Sequence, residues 1–149
     1  MEYLILTPHY APDLGPSAPL FTMLCRELAN AGHRVTVVSA VPHYPSGKVP
    51  QEFRGKFITR TLEDGVNVVR VRVPSVKRSN LLMRAMQFFC YQIGALFACI
   101  PKQYDVVFVS NPALWVVLPF GWVVCVKRTP AIFSIYDVYP DVGISLGIF

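Results

Sequence analysis

A chain of 149 residues has room for one domain of ordinary size and not for two. With 53% hydrophobic and only 15% charged residues, a disordered chain is excluded and much apolar surface must be buried. Fourteen basic against nine acidic side chains leave a formal net charge of +5, which suits anionic partners such as phosphorylated substrates, nucleic acid or acidic lipid headgroups.

The run Tyr3-Leu4-Ile5-Leu6 is apolar throughout and is broken by Pro8, Pro12 and Gly15, the pattern of a central parallel strand opening into a loop. From Pro16 the spacing turns helical. Phe21, Leu24, Leu28 and Ala31 share one face, Arg26, Glu27 and Asn30 another, and Gly32 is placed to end the helix. Val35 to Ser39 follows as a second strand, and β-α-β at the start predicts a parallel sheet with right-handed crossovers.

Residues 41–56, rich in proline and glycine and without a sustained apolar period, read as a long functional loop. Phe57 to Glu63 and Val66 to Val73 flank Asp64-Gly65, a dipeptide suited to a type I′ turn, and predict a β-hairpin. Val69, Val71 and Val73 alternate with Arg70 and Arg72, so one buried and one basic face are expected. After a linker at 74–80, Leu81 to Ile100 keeps helical spacing through Leu82, Ala85, Met86, Phe89, Ile93 and Leu96, and stops at Pro101. Tyr104 to Ser110 is a further strand, Asn111-Pro112 opens a helix running to about Lys127-Arg128, and Ala131 to Tyr136 is the last strand. The fold class is therefore α/β: one continuous Rossmann-like domain over 1–149, a parallel sheet flanked by helices with an inserted β-hairpin.

Two apolar stretches bear on a membrane. Ala113 to Val126 is shorter than the ~20 residues a span requires, and packs better on the sheet. Leu81 to Ile100 is long enough, but Arg84, Gln87 and Gln92 would need partners in hydrocarbon. Lys77 and Arg78 before it, with Phe88, Phe89, Tyr91 and Phe97 along it, fit a helix lying on a membrane surface; plain packing on the sheet fits as well. Cys25, Cys90, Cys99 and Cys125 form no C-x-x-C pair and signal neither zinc nor a redox motif; they suit buried positions in a reducing compartment. Met1-Glu2 opens without a basic n-region and long apolar h-region, so cytoplasmic residence is expected, free or peripheral on the inner face of the membrane.

In open α/β sheets ligands bind beyond the carboxyl ends of the strands. Those positions hold His9, Tyr10, Asp13 and Gly15 after the first strand, and His43, Tyr44, Ser46 and Lys48 after the second. Ser110 and Asn111 follow the Tyr104 strand, and Asp137, Tyr139 and Asp141 the last. Right-handed crossovers bring all of these loops to one rim. The first loop lacks G-x-G-x-x-G, which disfavours a dehydrogenase. Gly15 can admit a phosphate near the start of the helix or serve as a turn glycine. His33 is expected to pack over the turn behind Gly32, whereas His9 and His43 are ligand candidates. Asp137 faces solvent, a helix end or a substrate hydroxyl, since an unpaired carboxylate is costly to bury.

Four segments in order carry a family resemblance: Pro8-His9-Tyr10-Ala11-Pro12-Asp13-Leu14-Gly15, Ala31-Gly32-His33-Arg34-Val35-Thr36-Val37, Pro42-His43-Tyr44-Pro45-Ser46-Gly47 and Tyr136-Asp137-Val138-Tyr139-Pro140-Asp141. With these the whole chain resembles the N-terminal, acceptor-side domain of family 4 glycosyltransferases, one half of a GT-B fold. Within that family it resembles bacterial enzymes of capsule, O-antigen or exopolysaccharide synthesis. The resemblance implies a retaining, metal-independent hexosyltransferase with no cofactor, a nucleotide-sugar as co-substrate, and a glycan or lipid-linked acceptor bound in this half.

By resemblance the Gly15 loop would approach the donor phosphate, and Asp137, the catalytic candidate, would lie in the interdomain cleft. Substrate contacts would come from His9, Tyr10, Gly15, His43, Tyr44, Ser110, Asn111 and Tyr139. Pro16 stands where relatives often carry a second small residue, which removes a backbone donor from the phosphate turn. The chain ends at Phe149, without the C-terminal donor-binding domain, so an isolated transfer activity is not expected. A truncated copy or a split enzyme with a separate donor-binding subunit would account for this. Two alternatives are a non-enzymatic module for a membrane surface or glycolipid and another nucleotide-binding Rossmann protein; nucleic acid is not an expected partner.

Overall fold

In a computed structural model of the chain, which describes residues 1–76, 80–110 and 113–135, five strands run parallel and a sixth runs antiparallel at one edge. They are β1 (Glu2–Leu6), β2 (Arg34–Ala40), β3 (Ile58–Glu63), β4 (Val66–Val71), β5 (Val106–Ser110) and β6 (Ala131–Ser134), ordered β3-β4-β2-β1-β5-β6. From β1 the chain winds one way to β2 and β4, and from β4 it crosses back to β5 and β6. The order therefore reverses between β1 and β5, which puts the helices of the two halves on opposite faces.

On one face α1 (Ala18–Asn30) packs Phe21 and Cys25 against Ile5, Val35, Val37, Val66 and Val68. The buried seam is Ala18, Phe21, Thr22 and Cys25, and Leu24 and Leu28 flank it half-buried. Gly32 ends the helix with φ +82, a conformation costly for any residue with a β-carbon. His33 packs on the ring of Tyr3, 5.2 Å between centroids, in the turn role its position predicted.

The opposite face carries α2 (Leu81–Cys99) and a composite helical segment. That segment was expected as one regular helix. It is a 3-10 turn (Ala113–Val116), a short α3 (Val117–Gly121) and a π turn (Trp122–Val126). Pro119 supplies no N–H to its ladder, and the Leu118 N–H is taken at 2.8 Å by the side-chain oxygen of Gln92. Lys127 then donates to the carbonyls of Cys99 and Ile100, both at 2.8 Å, closing the end of α2.

The inserted hairpin is present: Asp64 and Gly65 both have positive φ, as the type I′ turn requires. Its expected basic face is not. Arg70 is only 4% exposed, because the first loop lies against it and the centroid of the Phe53 ring is 5.6 Å from its guanidinium carbon. It pairs with Glu63 on β3, 2.9 Å from Nη2 to Oε2, and donates at 2.7 Å to the carbonyl of Ala11 in the first loop. Arg72 alone of the pair is exposed.

Candidate functional site

The loops after β1 and β2 meet above the sheet, and one side chain joins them. Asp13 is buried; its Oδ1 accepts the backbone N–H groups of Leu14 (3.0 Å), His43 (3.3 Å) and Tyr44 (2.9 Å). Its Oδ2 lies 2.6 Å from Nδ1 of His9. Burial alone would raise the Asp13 carboxyl. The hydrogen bonds from His9 and the Tyr44 N–H, with the charge of His9, outweigh it and hold the group below the usual carboxylate range.

His43 is 8% exposed, and its Nδ1 donates to the Val41 carbonyl at 2.9 Å. Burial lowers its pKa, so the neutral form dominates at pH 7; with Nδ1 carrying the proton, Nε2 is an acceptor. The His9 and His43 rings stack with centroids 5.3 Å apart, and Tyr44 meets His9 edge-on at 5.7 Å. The arrangement can accept and orient substrate hydroxyls through imidazole nitrogens fixed in place by their second bonds.

The same cluster is where a cation would bind among the described residues, since ligand atoms of His9, Asp13 and His43 lie within 4.8 Å of one another. The bonds just described commit both Asp13 oxygens and both Nδ1 atoms, which leaves only the two Nε2 nitrogens for a metal.

Gly15 has a packing role visible here. A β-carbon on it would stand 2.2 Å from Cγ of His9, so the imidazole occupies the space a side chain would need. The phosphate approach expected at the start of α1 is thinly provided, because Pro16 and Pro19 both lack an N–H and the Ala18 N–H is spent on Gly15 O. In the second loop Gly47 is similarly required, at φ +73 with the Val76 carbonyl oxygen 2.1 Å from where its β-carbon would be.

Of the candidates predicted for the rim, His9, His43 and Tyr44 come together. Tyr10 does not join them: it turns down into the α1 core, and burial pushes its phenol up to about 12. Ser110 ends β5, the strand beside β1 across the point where strand order reverses, and pairs in register with Ser134. Asn111, Asp137 and Tyr139 lie outside the described residues. Asp13 was placed on the rim with His9 and Gly15, but not as the residue that joins two loops, since nothing in a linear sequence shows that three N–H groups converge on it. Arg70, which pins the first loop from below, was hidden by its alternation with apolar neighbours.

A groove of about 580 Å³ runs along α1 beneath the first loop, with Asp13 and Thr22 in its lining and Arg26 and Glu27 at its α1 side. Comparison with curated proteins returns no match. The family model described as a glycosyl transferase 4-like domain matches residues 17–147. That match runs from α1 to β6 and takes in five of the six strands, beginning after β1 and the first loop; it covers well over half of the chain, and so the chain belongs to the glycosyl transferase 4-like family.

Proposed function

We propose that this chain is the acceptor-side half of a retaining, GT-B-type hexosyltransferase. In this reading it holds a lipid-linked glycan while a sugar is moved onto it from a nucleotide-sugar, in cell-surface polysaccharide synthesis. A second Rossmann domain, in cis or as a separate subunit, supplies the nucleotide grip. The observation that carries the reading is the His9–Asp13–His43 constellation at the strand tips of a glycosyl transferase 4-like domain.

Family membership supplies the reaction class: a nucleotide-sugar gives up its sugar to an acceptor hydroxyl. The rim supplies pre-oriented imidazole nitrogens suited to hydroxyls. The sparse N–H groups at the start of α1 suit a half that leaves most nucleotide contacts to another domain. Asp137 keeps the catalytic assignment, and Asn111 and Tyr139 the substrate contacts, that the resemblance implies.

Saturation-transfer NMR on this chain with a short-chain prenyl-diphosphate disaccharide, and separately with a set of sugar nucleotides, tests the reading. The disaccharide should bind, and His43→Ala should weaken it about tenfold, the worth of roughly one hydrogen bond to a buried group. Tight nucleotide binding together with no acceptor binding would instead identify a nucleotide-binding Rossmann protein.

A further inference from the structure

The polarity of α2 is inside out. Gln87, Tyr91 and Gln92 point into the protein and are satisfied there: Gln87 donates to Pro74 O at 3.1 Å and Gln92 accepts from Leu118 N. The Tyr91 hydroxyl reaches the carbonyls of Thr7 and Val38, both at 2.9 Å. The face turned to solvent is apolar. Leu82, Met86, Phe89, Ile93, Phe97 and Ile100 follow one another at helical spacing, all exposed, and Leu82 is 84% exposed. The polar side chains that argued against contact with hydrocarbon are thus all turned inward except Arg84.

The contacts of α2 also fix its height on the sheet. Tyr91 sits level with the strand tips, and Gln87 is level with Pro74 beyond the end of β4. Residues 81–86 therefore overhang the rim, each of them exposed. The helix is long and apolar enough to cross a membrane, but its inner face is fixed to the sheet through Tyr91, Ala95, Ala98 and Cys99. It can lie on a bilayer while remaining packed on the sheet.

We propose that the outer face of α2, with its overhanging first turns, docks on an anionic lipid bilayer and holds the histidine-lined rim at the lipid–water boundary. Two observations favour lipid over protein. A protein interface needs about one hydrogen bond per 100–200 Å², and among the exposed side chains of α2 only Arg84 can donate one. Charge is one-sided as well. Between Asp64 and Asp137 the sequence has a single acidic residue, Asp105, against Arg70, Arg72, Lys77, Arg78, Arg84, Lys102, Lys127 and Arg128. Asp105 is at the far end of the sheet, before β5, as are Lys102, paired with Glu2, Lys127, spent on the end of α2, and Arg128. Arg70 is spent on Glu63, so the cations relevant to the rim side of α2 are Arg84 and, in sequence, Lys77 and Arg78. Arg84 has no acidic partner among the described residues, and Lys77 and Arg78 precede α2 directly in sequence. An exposed arginine on an apolar helix face, with two more cations shortly before it in sequence, complements anionic headgroups over acyl chains.

This inference stands apart from the transferase reading, and its test uses no sugar. The chain should sediment with phosphatidylcholine vesicles containing a quarter phosphatidylglycerol and much less with phosphatidylcholine alone. The double variant Leu82→Glu/Met86→Glu, at two exposed positions where the circular dichroism should match that of wild type, should stay in the supernatant. Arg84→Ala should weaken binding about fivefold at low salt, as one interfacial cation is worth about 1 kcal/mol. A wild-type chain left in the supernatant with both vesicles, or a double variant that sediments like wild type, overturns the proposal. So does a wild-type dimer in solution that the double variant splits, which would assign the face to a second copy of the chain.

Discussion

A β-carbon at Gly15 would fall 2.2 Å from Cγ of His9 and 2.6 Å from its Nδ1, the atom that binds Asp13. Gly15→Ala should therefore dislodge the imidazole from the carboxylate. A loss of about 1–3 kcal/mol in urea denaturation is expected, in the range of overpacking, together with weaker acceptor binding; unchanged stability would show that the ring has somewhere else to go. His9 and Tyr10 show how far a residue can be read locally. Both follow the first strand and both looked like ligand candidates, yet one points into the rim and the other into the core. That choice is made by α1, whose Phe21 and Cys25 form the apolar wall against which Tyr10 packs, and no pattern within the loop records it.

At the scale of elements, periodicity located the six strands, α1 and α2 to within a few residues, because burial on a sheet imposes a period of two and packing of a helix one of 3.6, while the 3-10 turn at Gln51–Phe53 fell inside the stretch read as a loop. It failed where an element contacts more than one neighbour. The alternation in β4 was read as one wet face, yet β2 and β3 flank the strand and the first loop lies over Arg70. Arg70→Met keeps the bulk and removes the pairing, leaving Glu63 with the Thr61 hydroxyl in place of a charged partner and taking away the Arg70 bond to the Ala11 carbonyl. Since Glu63 is itself part-exposed, a cost of about 2 kcal/mol is expected, toward the lower end for broken charged hydrogen bonds. Thermal unfolding measures it, and a variant as stable as wild type would mean the first loop is held without this arginine. Arg84, Gln87 and Gln92 were likewise read as obstacles to membrane contact, and the tertiary contacts of the two glutamines turn them inward.

For the whole molecule, the buried rim couples stability to pH. The folded-state pKa of His43 lies below its unfolded value of about 6.5, so the unfolded chain takes up the proton first and stability falls as pH drops below that point. Asp13 and Glu63 are depressed in the fold. The stability they contribute is complete above their unfolded values near 4 and is lost as pH falls through the lower folded ones. Urea midpoints measured from about pH 8 to pH 3 should therefore fall in two steps, and His43→Asn should remove the upper one; a wild-type midpoint that stays flat down to about pH 5 would contradict it. The sequence by itself determined the fold class and the identity of the rim loops, since local propensity, strand period and the handedness of crossovers leave little freedom once β-α-β is written. It did not determine which rim residues meet, because Asp13 draws its N–H partners from two loops thirty residues apart. Nor did it determine which side of α2 faces out, because both sides carry apolar residues and only the tertiary hydrogen bonds of Gln87, Tyr91 and Gln92 fix the rotation of the helix.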